Sequence, residues 1–178
     1  GLYTIDYSLG AGESGGISDP GFLQTVERFA EWYETQPEVL HVNTLPDILK
    51  RLNKNMHSDD EAWYRLPEQR DLAAQYLLLY EMSLPYGLDL NNQIDVSKSA
   101  TRMTVTVRNI SSNEMLALEH KAQKWLQEHA PSMQTTGASP SVMFAHIGQR
   151  NIISMLTGTT IALVLISGIL ILALQSFK

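Results

Sequence analysis

The chain has 178 residues, with 13 Lys and Arg against 19 Asp and Glu. That length allows one ordinary domain plus an appendage, and a net charge of −6 argues against nucleic acid as a partner, since phosphate binding needs a basic face. There is no cysteine, which excludes a disulfide framework and thiolate metal sites.

Taken from the N-terminus, residues 2–9, LYTIDYSL, alternate apolar and polar as a strand does. There is no initiator Met and no targeting segment, and a chain that starts in mid-strand is expected to be a piece of a longer polypeptide. The glycine-rich stretch GAGESGGISDPG follows as a loop. Asp19 then Pro20 form an N-cap and N1 pair. They open a helix to about Gln36, with Phe22, Val26, Phe29, Ala30 and Tyr33 on one face and Glu27, Arg28, Glu31 and Glu34 on the other. Pro37 stops it, and residues 39–43 read as a short second strand.

A helical insertion over residues 44–90 comes next. Thr44 caps a helix through Ile48, Leu49 and Leu52 that ends near Met56. After the polar loop HSDDEAWYRLP, a second helix over about 68–82 carries LAAQYLLLYEM until Pro85 and Gly87 break it. This second helix is apolar over more than one face, which calls for burial on two sides. Residues 101–107, TRMTVTV, alternate as a third strand. Ser111 and Glu114 have the spacing of a capping box. They open a helix to about His129, with Met115, Leu118, Ala122, Trp125 and Leu126 inward. Residues 133–139 are expected to form a fourth strand, and Pro140 opens a last helix.

That last helix runs into MLTGTTIALVLISGILILAL, residues 155–174, and no charge occurs between Arg150 and Lys178. The run is close to the ~20 residues a helix needs to cross a bilayer. It stands at the wrong end for a signal peptide. Lys178 favours a cytoplasmic end, with residues 1–145 outside. The β-α-β, insertion, β-α-β order predicts an α+β, ferredoxin-like split β-α-β domain over residues 1–139 with a four-stranded sheet. Residues 140–178 are then a connecting helix and a transmembrane helix spanning about 153–174.

Chemistry-bearing motifs are few. GESGG, residues 12–16, matches the G-x-S-x-G elbow around Ser14, but that elbow needs a helix directly after a sharp turn, and here the helix starts only after three more loop residues. His57, Asp59, Asp60 and Glu61 are ligand types without a second cluster, and read as a solvated loop. His146 sits at the headgroup level as an interfacial residue. No catalytic, cofactor or metal residue is assigned. Inside the span there is no Asp or Glu to mark an ion pathway. Ser154, Gly158 and Ala162 recur every fourth residue and share one face, the spacing by which membrane helices pack closely.

The stretches GGISDPGFLQTVERFAEWYETQPEVLHVNTLPDILKRLN, LPEQRDLAAQYLLLYEMSLPYGLDL and VMFAHIGQRNI, in that order, resemble the resistance-nodulation-division (RND) superfamily of exporters, and more closely its MmpL-like "predicted exporter" branch. The resemblance covers nearly the whole chain through hydrophobic patterns rather than catalytic signatures. It implies an extracytoplasmic, periplasmic porter loop, the second rather than the first, followed by one membrane helix of a transporter in the inner membrane. The implied activity is proton-driven efflux of a hydrophobic or amphiphilic molecule. The implied partners are the lipid bilayer and the remaining membrane helices and porter domains, with room for a homo-oligomer. The proton-relay acids of such transporters lie on other membrane helices, so none falls on this chain. The alternative from the residues alone is an extracytoplasmic binding or sensor domain anchored by its single C-terminal span.

Overall fold

The computed structural model describes residues 2–85 and 90–174. Gly87, expected to break the insertion's second helix, and Lys178, expected to mark the cytoplasmic end, lie outside the described residues.

The chain folds as α+β. Three strands form one antiparallel sheet in the order β1 (Tyr3–Gly10), β3 (Ala100–Val107), β2 (Val39–Asn43). Both outer strands pair only with β3, with Ile5 opposite Val105 and Val42 also opposite Val105. β1 and β2 therefore run parallel to each other on either side of it. Alternation places Ile5, Tyr7 and Leu9 of β1 and Met103, Val105 and Val107 of β3 on the core face. The opposite face carries Thr4, Asp6 and Ser8 beside Arg102, Thr104 and Thr106, the pattern of a sheet covered on one side.

The expected fourth strand over 133–139 is not formed. Pro131–Met133 is a 3-10 turn, and the segment meets β1 at a single bridge, where Asp6 and Ala138 exchange backbone hydrogen bonds of 2.9 and 2.8 Å. The cause is local. Gly137 is pressed against Ile5 and Tyr7, and Pro140 starts a helix two residues after the bridge, which leaves no length for a ladder.

The helices follow their start signals. Asp19 accepts from Phe22 N at 3.0 Å and opens α1 (Pro20–Glu34). Thr44 caps α2 (Leu45–Met56). α3 (Arg70–Ser83) packs on α2, where Tyr76 donates to the buried Asn53. Ser111 and Glu114 make both bonds of the capping box that opens α4 (Ser112–His129). α5 (Pro140–Leu174) is one unbroken helix of 35 residues.

α1 and α4 cover the core face. Phe29 stands edge-on to Tyr7 and stacks on Trp125 at a centroid distance of 5.0 Å, while Trp32 and Trp125 close the outer side, half-buried. The glycine-rich loop is tied down rather than free. Ala11, Gly15 and Ile17 donate their N–H groups to the carbonyls of Ser99, Ser97 and Lys98, and residues 16–18 form a buried 3-10 turn. Across the sheet's polar face, Arg102 grips Asp6 through two bonds of 3.0 and 2.7 Å and Thr104 adds a third of 2.7 Å. Partial burial pushes the Asp6 carboxyl up, but those bonds and the guanidinium charge outweigh it and hold the carboxyl below its ordinary value.

At the centre, the hydroxyls of Tyr7 and Tyr33 lie 2.5 Å apart and both side chains are buried. Burial pushes both phenols well above their ordinary range, and the charge of Glu119 adds to the rise. The folded chain thus keeps two protons that the unfolded chain releases from about pH 10 upward. Stability must fall as pH rises through that value and be fully present below it. Tyr7→Phe should cost about 1–2 kcal/mol at neutral pH by orphaning Tyr33, and should flatten the loss between about pH 9 and about pH 11. Urea unfolding of the full chain in detergent, followed by tryptophan fluorescence, checks this; parallel pH profiles for both chains would contradict it.

Candidate functional site

Two regions carry the features of interest: the length of α5, and the junction where α5 leaves the domain.

Among the described residues one helix, Pro140–Ala173, is long and apolar enough to cross a membrane. Its first turns belong to the domain, since Val142 and Ala145 are buried. Beyond Gly148 every residue whose burial is described is exposed except the half-buried Gly168. Ser154, Gly158 and Ala162 lie along this exposed length and meet no other part of the chain, and a Cβ at Gly158 or at Gly168 would find nothing within 4 Å. The hydroxyl of Thr160 donates to the Leu156 carbonyl at 2.7 Å, so it needs no water. At 1.5 Å per residue the 35 residues of α5 are ~52 Å long, which exceeds a hydrocarbon core of ~30 Å by about four turns.

The junction is built by α4, the segment 136–139 and the start of α5. These enclose a cleft of about 770 Å³ lined by Glu119, Gln123, Thr136 to Pro140, Val142, Met143 and His146, with Asp6 at its edge. Glu119 is 1% exposed. Its Oε1 accepts from Gly137 N at 3.3 Å and from the Gln123 amide. Its Oε2 is buried and has no partner. A buried, half-satisfied carboxyl costs free energy, so its presence needs a reason beyond packing. Glu119 has no role in the expectations from sequence, yet the signal was there. It stands four residues after Met115 and three before Ala122, both inward, so a carboxylate falls on a core position of α4.

Other motifs are placed as follows. Ser14 donates to the Ser97 carbonyl at 2.9 Å, and the 3-10 turn Gly16–Ser18 separates it from α1, so the geometry is not that of an elbow. His57 stacks on Trp63 with ring centroids 3.6 Å apart, and its Nδ1 bonds the Asn53 carbonyl at 2.7 Å. Glu61 pairs with Lys54, and Asp60 caps the turn at Ala62. No group of three metal-ligating side chains is found among the described residues. On α3, Ala73, Tyr76 and Leu77 are buried while Leu78, Leu79 and Met82 face outward, Met82 being 77% exposed. His146, exposed, lies on the cleft rim.

Comparison with protein-family models, with curated proteins and with solved structures finds no match to this chain.

Gly137 is the residue on which the junction depends. A Cβ there would lie 2.7 Å from Ile5 Cγ2 and 2.7 Å from the Tyr7 hydroxyl, both fixed in the core. Gly137→Ala should therefore destabilise by about 2–3 kcal/mol through overpacking. Gly148→Ala is the control, because nothing lies within 4 Å of its Cβ and a mid-helix Gly→Ala change is worth up to about 1 kcal/mol in the stabilising direction. Urea unfolding of both variants checks the contrast, and equal stability of Gly137→Ala and wild type would overturn it.

Proposed function

We propose that the chain is part of an RND-type, proton-driven exporter of hydrophobic or amphiphilic molecules. Residues 1–145 lie on the periplasmic side of the inner membrane, and α5 is one member of a bundle of membrane helices. The soluble part is a ferredoxin-like porter domain whose fourth strand is reduced to the Ala138 bridge. What supports that reading of the fold is the strand order. β3 separates two parallel strands, and Ala138 lies on the free edge of β1, the place a fourth strand would take in a split β-α-β sheet.

The observation that carries the functional reading is the continuity of α5. It starts inside the domain core at Val142 and Ala145 and continues without a break into the apolar span. A flexible tether would suffice for an anchor. A helix rooted in the core transmits displacement in both directions, as a porter coupled to a moving membrane bundle requires. Ser154, Gly158 and Ala162 form the face by which α5 packs on a neighbouring helix. The outward face of α3, with Leu78, Leu79 and Met82, is where another porter domain or subunit packs.

The test uses the parent transporter. Gly158→Leu should lower export several-fold at matched membrane expression, whereas Gly168→Leu, on another face of α5, should be milder. Neither side chain meets anything within this chain, so a difference between the two reports a partner helix. Export by Gly158→Leu equal to wild type would remove the packing face from the mechanism. No measurable efflux from the wild-type parent would remove the exporter.

A further inference from the structure

The junction cleft holds an acid that the chain does not answer. None of the residues lining it is Lys or Arg. Arg102, near its edge, is already committed to Asp6 through two bonds. The N–H of Gly137 and the amide of Gln123 both go to Oε1 of Glu119, and Oε2 is left with nothing. The remaining walls are chiefly apolar, from Ala138, Pro140, Val142 and Met143, with Thr136, Ser139 and His146 as their polar members. A volume of about 770 Å³ falls within the range that holds small organic ligands.

We propose that this cleft is a binding site for an amphiphile with an ammonium head, the head pairing with Glu119 Oε2 and the alkyl chain lying on Val142 and Met143. A carboxylate removed from water is favoured by a nearby cation more strongly than by a neutral hydrogen-bond donor. An alkyl chain is favoured by the apolar wall in proportion to the area it covers. An inorganic cation would leave that wall unused, and an anion would meet Glu119 and Asp6. Gln123 is half-buried in the cleft lining, and its amide bonds Oε1 rather than Oε2. The occupant could come from the bilayer, as the head of an ethanolamine lipid, or from the periplasm as a free alkylammonium. The chemistry is the same. The site rests on this chain's geometry, and only the step from occupant to cargo rests on the exporter reading.

Binding of radiolabelled dodecyltrimethylammonium to the immobilised full chain in dodecyl maltoside, a neutral detergent, tests the site without requiring transport. Saturable binding is expected, displaced by unlabelled dodecyltrimethylammonium and not by dodecanol. Glu119→Gln, which keeps the shape and the acceptor for Gly137, should weaken it at least tenfold. Met143→Trp narrows the cleft from its rim and leaves Glu119 in place; it should weaken binding too. This second variant decides the matter if Glu119→Gln fails to fold. Displacement by dodecanol as effective as by the ammonium would overturn the proposal, and so would unchanged affinity in either folded variant. Repeating the measurement in phosphatidylethanolamine and phosphatidylglycerol nanodiscs separates the sources. Loss of the wild-type advantage over Glu119→Gln only in phosphatidylethanolamine assigns the site to the lipid head, and an advantage kept in both assigns it to a free amphiphile.

Discussion

Hydrocarbon offers no hydrogen-bond partner to a peptide group, so a chain that enters a bilayer must satisfy every N–H and C=O within itself. α5 meets that demand over its whole apolar length as a single helix, and Thr160 even returns its hydroxyl to the backbone. The same continuity shapes the rest of the molecule. Because the helix cannot bend without exposing backbone, its start must be set at a definite place on the domain. Val142 and Ala145 bury against α4, Gly137 lets the approaching segment pass over Ile5 and Tyr7, and the Ala138 bridge pins it to β1. The core beneath is made of the rings that this arrangement touches: Tyr7, Tyr33, Phe29 and, on α4, Trp125.

Glu119 belongs to this same junction. It reaches from α4 to Gly137 N and lies close enough to the Tyr7–Tyr33 pair to influence both phenols. One carboxylate therefore faces the aromatic centre on one side and the cleft beside α5 on the other. Its bond to Gly137 N also ties α4 to the segment that leads into α5.

Much of the fold could be read from sequence because its signals are local. Asp19–Pro20, Thr44, and Ser111 with Glu114 mark helix starts by hydrogen bonds that span three residues, and each helix begins there. Residues 2–9 and 101–107 alternate, and the strands form there, over Tyr3–Gly10 and Ala100–Val107. The apolar run of α5 needs only counting. Residues 133–139 failed the same treatment, since their conformation is decided by contact with Ile5 and Tyr7 across more than 120 positions of chain, which no local pattern records. The glycine-rich loop is similar: its small residues suggest freedom, but Ser97, Lys98 and Ser99, which precede β3, hold it in place. Within the candidate site, the stripe of small residues on α5 was legible by spacing. Glu119 was visible only as a charge out of place on an apolar face, and the cleft it floors is assembled from three elements that sequence order does not bring together.

The position of β3 in the middle of the sheet also sets a schedule. β1 and β2 do not pair with each other, and each finds its ladder partner only in residues 100–107. During synthesis the first two strands must therefore wait, unpaired, while the whole insertion emerges. Pairing across so long a separation is slow, and strands left open in the meantime are prone to join the wrong neighbour. α1 and α2 shorten the hazard, because their caps and the Lys50–Glu27 ion pair that joins them are local and need no sheet. Once β3 arrives, both edges zip onto one template, and only α4 and the root of α5 remain to be laid down. Completion of the domain and emergence of the long apolar helix thus fall close together in time, an order of events written into the strand arrangement rather than into any single residue.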